Sequence, residues 1–290
     1  METIEFILVY ALILGSLYLL MSLGFSLVCG VLRIFHLGYG VIFVLAVYGV
    51  WMFMNDLGTG MLPALIGMFV IQILFTLGVV YYIIVKRYVE QEEILLTSLL
   101  LVALVIEELI NHLYPVTAGV NIPTTILSGV TKVGAATIPN QMFVVAALAA
   151  MITSAFVLFL LKTRWGYIIR AVSQSTRSAR LMGVKVERVY AVALVLSIIP
   201  PTVCILVISP IWSIEPYLGT PFLETAILVS ILGGLGNLRG TVIASFIVGL
   251  VASSVAFLIN PRLVGLAILV MVFFVLVFRP EGIARSESLW

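Results

Sequence analysis

Charge is what this chain has least of. Only 10% of its 290 residues are Asp, Glu, Lys or Arg, while 63% are hydrophobic. A water-soluble domain carries roughly 25% charged residues, so a surface that faces water on all sides is excluded. Cysteine is scarce as well. Cys29 and Cys204 both lie inside apolar runs, with no Cys-x-x-Cys and no His close by, so they read as packing residues and not as a metal site or a disulfide. The two histidines, His36 and His112, are far apart, and no catalytic set, metal site or cofactor site is visible. No Gly-x-x-x-x-Gly-Lys-Ser/Thr occurs, which excludes ATP binding by a phosphate loop. Met1-Glu2-Thr3-Ile4-Glu5 lacks the basic n-region of a cleaved signal peptide, so the first apolar run is expected to be kept. A net charge of +2 gives no argument for nucleic acid.

What fills the chain instead is apolar sequence. The runs are Ile4–Val31, Val41–Met54, Met61–Val85, Ile94–Leu113, Met142–Leu161, Val189–Ser209, Leu223–Leu235, Thr241–Ile259 and Leu263–Phe278. Several approach or exceed the ~20 residues that cross a ~30 Å hydrocarbon core as helix. Helices satisfy their own backbone groups in lipid, and these runs lack the apolar–polar alternation of a β-barrel. The expected fold is an all-α integral membrane protein. It is a polytopic bundle of about eight to nine hydrophobic segments, forming one transmembrane domain over residues 1–290 with a polar loop at 162–188.

That loop holds Lys162, Arg164, Arg170, Arg177, Arg180, Lys185 and Arg188, seven of the fifteen Lys and Arg residues. Lys and Arg concentrate in cytoplasmic loops, so Lys162–Arg188 is placed inside. Counting outward puts Lys86-Arg87 inside, Arg279 and Arg285 inside if Leu223–Leu235 crosses, and Tyr114–Gln141 and the acidic N-terminus outside. Within the loop, Ile168, Val172, Ser175, Ala179 and Met182 share one helical face and Arg170, Gln174 and Arg177 lie opposite. Gly183 ends the pattern. A short amphipathic helix on the membrane surface is expected, either resting on headgroups or fitting a groove on a cytoplasmic partner.

Val41–Met54 and Leu223–Leu235 offer only about 21 and 20 Å of helix at 1.5 Å per residue. Each adjoins a glycine cluster, Gly30–Gly40 and Gly233–Gly240, and each sits in one half of the chain. Broken backbone survives at membrane depth only where it is buried or lines a cavity, so paired interruptions point to a transport pathway. The pathway residues read this way are His36, Gly38, Tyr39, Gly40, Gly233, Gly234, Gly236 and Asn237. The plainer alternative is close helix packing. Pro200-Pro201 frees the carbonyls of Leu196 and Ser197 and predicts a kink. Glu107 and Glu108 sit four residues before Asn111 and His112, which predicts local pairs at the outer interface in preference to an ion site.

Ser178-Ala-Arg-Leu-Met-Gly-Val-Lys-Val-Glu-Arg188 resembles the Ala-Ala-Ala-Leu-Met-Gly-Ile-Asn-Val-Asp-Arg-type loop of a known family. These are the permease subunits of ATP-binding-cassette importers for branched-chain amino acids. Gly166-Tyr-Ile-Ile-Arg-Ala-Val-Ser-Gln174, Leu232-Gly-Gly-Leu-Gly-Asn-Leu-Arg-Gly240 and Arg279-Pro-Glu-Gly-Ile283 resemble further motifs of that family in the same order. The length is similar to its shorter, H-type permease. Two departures stand out: Arg177 where the family usually has Glu, and His36-Leu-Gly-Tyr-Gly40 where it usually has Asn-Phe-Ala-His-Gly.

The resemblance implies a non-enzymatic subunit in the plasma membrane of a prokaryote, its N-terminus outside and C-terminus cytoplasmic. Its implied partners are a second, longer permease, two cytoplasmic ATP-binding-cassette ATPases and an extracytoplasmic binding protein. Arg170, Arg177, Ser178, Ala179 and Gly183 would carry the ATPase contact. The implied cargo is a branched-chain amino acid. Urea, short amides or other amino acids are alternatives within the class, and an ion-coupled secondary transporter is the alternative outside it.

Overall fold

The computed structural model describes residues 2–114, 122, 125–133 and 136–284. Its helices are α1 (Glu2–Leu32), α2 (Gly40–Asn55), α3 (Met61–Tyr88, π-helical over Thr76–Val85) and α4 (Glu92–Leu113). After a small hairpin come α5 (Asn140–Lys162), α6 (Arg164–Gln174), α7 (Thr176–Leu181), α8 (Val186–Ser197) and α9 (Ile199–Ile208). The chain closes with α10 (Gly219–Gly233), α11 (Leu238–Leu258) and α12 (Val264–Phe278). Among the described residues, eight helical segments are long and apolar enough to cross a membrane, including Leu37–Asn55 and Pro216–Gly233. The 22-residue α4 carries Glu92, Glu93, Glu107 and Glu108 and stands apart from those eight. The expected helical membrane bundle is the fold observed. The antiparallel hairpin, β1 (Val130–Val133) and β2 (Ala136–Pro139), was not expected from the sequence. Arg285 lies outside the described residues.

The centre of the bundle is α1, which packs on α5, α6, α8, α9, α10 and α11. Small residues recur every four positions on the facing stripe of α11: Thr241, Ser245, Gly249 and Ser253. Stripes of this kind bring helices close, and in lipid that contact replaces the hydrophobic drive that water would supply. On α1 the Ile7 carbonyl accepts from the Ser253 hydroxyl at 2.9 Å, and the Thr241 hydroxyl donates to Ser26 at 2.8 Å. A Cβ at Gly249 would come within 2.5 Å of the Gly15 nitrogen. The two helices run antiparallel along their length.

Two polar bridges tie the rest. Gln72 Nε2 donates to the Ile42 carbonyl at 2.8 Å, while its Oε1 accepts from the Thr202 hydroxyl at 2.8 Å, joining α2, α3 and α9. Gln141 Nε2 donates to the Val207 carbonyl at 2.9 Å, and its Oε1 accepts from the amides of Ile126 and Leu127. Both glutamines are buried, so each must satisfy its amide internally.

Two stretches of the chain share a local pattern in opposite directions. α1 and the pair α8–α9 are antiparallel neighbours: Cys204 Sγ lies 3.8 Å from the Leu17 carbonyl, and Gly24 lies against Ser197. Each is followed by irregular chain, then a three-residue 3-10 turn, Leu37–Tyr39 or Pro216–Leu218. Each turn runs straight into a helix that begins at glycine, Gly40 or Gly219. Three residues on, Phe43 and Phe222 stack edge to face with centroids 5.2 Å apart.

Candidate functional site at the crossing of two interrupted helices

The first turns of α2 and α10 cross at Gly40 and Gly219. A Cβ on Gly40 would lie 2.7 Å from the Gly219 carbonyl oxygen, and one on Gly219 would lie 2.6 Å from the Gly40 oxygen. Both residues have ordinary right-handed helical dihedrals, so glycine is there for close approach and not for backbone freedom. Neither helix has a side-chain cap at its start. The amides of Gly40 and Gly219 donate back to the Gly38 and Tyr217 carbonyls, and the positive dipole ends of the two helices converge. Glu107 from α4 reaches the same crossing and is buried there. Its Oε1 would lie 2.9 Å from a Gly219 Cβ, and it accepts from the Thr220 hydroxyl at 3.5 Å.

The residues read from the sequence divide here. Gly38, Tyr39 and Gly40 are buried beside the crossing. Tyr39 donates its hydroxyl to the Ser197 carbonyl at 3.3 Å, one of the two carbonyls freed by Pro200 and Pro201. The expected break falls there, between α8 and α9. His36 is buried just before the 3-10 turn, and its Nδ1 has no hydrogen-bond partner among the described residues.

Gly233, Gly234, Gly236 and Asn237 lie elsewhere. They sit at the far end of α10, whose 15 residues span about 22 Å from the crossing. There the chain turns tightly: a Cβ on Gly236 would lie 2.5 Å from the Gly30 Cα, and Asn237 caps α11 by accepting from the Gly240 amide at 3.0 Å. Gly233 and Leu232 also accept from the amides of Ala284 and Ile283, which seals that end. The interruption that matches Leu37–Gly40 is Pro216–Gly219, ahead of α10 and not behind it. Its signal was present as Pro216 and Gly219 just before an apolar run, and the richer glycine cluster downstream drew the reading away.

The carboxylates also differ from expectation. Glu107 pairs with Thr220, and Glu108 accepts from the Tyr217 hydroxyl at 2.8 Å. These partners come from α10 and its lead-in turn, not from one turn along α4, because α4 packs beside that turn. Glu224 was not singled out from the sequence. It is exposed on α10, nine residues before Gly233 and so about 14 Å from that end. Thr220 and Tyr217 are exposed on the same face.

The basic segment is two helices and not one. Ser175 is extended (φ −155°, ψ 105°), which ends α6, and its hydroxyl accepts from the Ser178 amide to start α7. The buried face is Gly166, Ile169, Val172 and Ser173, with Ala179 from α7. Met182, expected on the apolar face, is 85% exposed, and Leu181 is 82% exposed. The break rotates the two helices out of one register, so a single helical wheel misplaces Met182. Arg177 and Ser178 are exposed, while Arg170 places its guanidinium 4.8 Å over the Tyr167 ring. Gly183 has φ 80° and a Cβ there would meet nothing within 4 Å, as a left-handed cap requires.

Residues 7–277 match the family model described as branched-chain amino acid transport system / permease component. The chain is 26% identical over 289 residues to the high-affinity branched-chain amino acid transport system permease protein LivH of Escherichia coli (strain K12), covering 93% of this chain and 92% of that protein. It is 25% identical over 294 residues to the protein of that name in Salmonella typhimurium (strain LT2), with the same coverage. A match across nearly the whole chain, on a helical membrane bundle with an exposed basic segment, leaves one assignment: this chain belongs to the family of permease components of branched-chain amino acid transport systems.

Proposed function

We propose that the chain is one of two permeases in an ATP-binding-cassette importer and that it passes branched-chain amino acids inward. The observation that supports this most is the crossing of α2 and α10. Two helices start in the middle of the bundle with their N-termini together, and interrupted helices of this kind build substrate sites at membrane depth. A zwitterion suits the surroundings. Its carboxylate would be met by helix N–H groups, and its aliphatic side chain by an apolar bundle. ATP is hydrolysed by two partner ATPases, one of which docks on this chain around Arg170–Gly183, with Arg170, Arg177, Ser178, Ala179 and Gly183 at the contact. That end of the bundle is cytoplasmic, and the N-terminus of α1 lies outside, where a binding protein delivers cargo to this chain and a longer second permease.

The test is uptake into proteoliposomes holding both permeases and both ATPases. Leucine, isoleucine or valine presented with the binding protein should enter only with ATP inside, and a protonophore should leave the rate unchanged. Uptake that collapses with the proton gradient and ignores ATP overturns the reading in favour of secondary transport. Selective uptake of urea or acetamide overturns the cargo alone.

The route follows the exposed face of α10 and α4 that carries Tyr217, Thr220, Glu224 and Glu108. Glu224 lies within α10, where a carboxylate facing lipid costs up to ~2.5–3.5 kcal/mol, so this face meets water and the second permease. Single cysteines at Thr220 and Glu224 are expected to react with a small charged thiol reagent during turnover. A cysteine at Leu266, exposed on α12, should not react. Protection of positions 220 and 224 in every state would place the route elsewhere.

A further inference from the structure

We propose that Arg33 is a positioning residue for transport, tying the cytoplasmic α6 helix to the chain segment that leads into the α2–α10 crossing. The role rests on the chain being an importer permease. Arg33 is the one non-glycine residue with positive φ among those described, at 56°. Its amide donates to the Cys29 carbonyl at 3.1 Å and closes the last turn of α1. A left-handed residue at that point suits Gly or Asn, which carry less strain there. The chain has Arg instead, and the side chain has a definite use. One Nη donates to the carbonyl of Ser173 at 3.1 Å and of Gln174 at 3.2 Å. These are the last carbonyls of α6, left without helical partners because the backbone breaks at Ser175, and a cation is favoured at that end of a helix.

The segment beyond Arg33 gives the link its meaning. Ile34 and His36 are buried, and the chain runs through the Leu37–Tyr39 turn into Gly40 at the crossing. On the other side, α6 continues through Ser175 into α7 and the exposed Leu181 and Met182. A shift of α6 imposed by closing ATPases therefore pulls on Arg33 directly, and Arg33 is the hinge of the segment that carries the crossing. Local strain kept at such a point is evidence of use, since a glycine would relieve it and lose only the guanidinium.

The experiment compares Arg33→Gly and Arg33→Lys in the reconstituted transporter with its binding protein. Arg33→Gly should melt in detergent no lower than the unaltered protein and retain its ATPases. Its uptake per ATP hydrolysed should fall about tenfold, and loaded binding protein should no longer stimulate hydrolysis. Arg33→Lys, which keeps the charge but not the geometry of the fork, should fall in between. Uptake per ATP unchanged in Arg33→Gly overturns the proposal, leaving a helix cap alone. A lower melting temperature or loss of the ATPases in that variant also overturns it, in favour of a structural role. If the importer reading itself is wrong, even the unaltered chain retains no ATPase, a result that sets the two failures apart.

Discussion

Alanine at Gly219 is expected to cut uptake by at least about tenfold. The added methyl would sit 2.6 Å from the Gly40 oxygen and 2.9 Å from Glu107 Oε1, and a backbone oxygen cannot turn aside as a flexible side chain does. The two helix starts must separate, and overpacking of this kind typically costs about 1–3 kcal/mol. Gly40→Ala meets the Gly219 oxygen at 2.7 Å and should do the same. The double variant carries the sharper prediction. Once α2 and α10 have moved apart for one methyl, the second is partly accommodated, so the combined loss should be smaller than the sum of the two. Gly78→Ala and Gly265→Ala serve as controls, since a Cβ at either position meets nothing within 4 Å. These should transport normally. Uptake and folded yield in all five proteins decide the matter. Normal transport by Gly219→Ala and Gly40→Ala would mean that the close crossing has no part in the route.

Glutamate at both Leu181 and Met182 is expected to release the ATPase from a permease that still folds. Both side chains are more than four-fifths exposed, so the substitutions touch nothing in the bundle, and surface changes of this kind usually stay within about 0.5 kcal/mol of stability. Two large apolar groups at the tip of a basic segment are suited to a pocket on a partner. Burying each contributes about 1.5–3 kcal/mol, so losing both corresponds to roughly a hundredfold to ten-thousandfold weaker docking. Co-purification of the tagged permease with its ATPase measures this, and the melting temperature of the permease checks the fold. Undiminished capture of the ATPase would move the docking surface away from this tip. A cavity of about 350 Å³ beside α7, lined by Arg87, Glu90, Arg180 and Glu187, would then be the next place to probe.

How much of this was legible beforehand depends on the range of the interaction. Helix existence was readable because a run such as Met142–Leu161 must satisfy its own backbone in lipid whatever its neighbours do. The kink at Pro200-Pro201 and the left-handed Gly183 were readable too, since each is a property of one residue and its immediate chain. The motifs of the basic segment carried the family before any fold was known, and the whole-length match agrees.

What the sequence could not settle is which elements meet. Glu107 has one candidate partner within its own helix, Asn111, and another, Thr220, 113 residues away, and only packing of α4 against the start of α10 selects the second. Of the glycines at the two ends of α10, the cluster at its end packs against the chain around Gly30 and Ala284, while the single Gly219 at its start meets Gly40 at the crossing. Composition cannot rank them, because close approach is a property of two backbones at once. Arg33 shows the same limit from the other side: a basic residue after an apolar run reads as an ordinary membrane-edge charge. The sequence by itself determined that this is a helical membrane protein of a transport family, through local rules that hold in any context. Only the tertiary structure decided where its interrupted helices cross and which contacts tie the chain before that crossing to the basic segment. Those contacts join residues far apart in the chain, and no local preference encodes them.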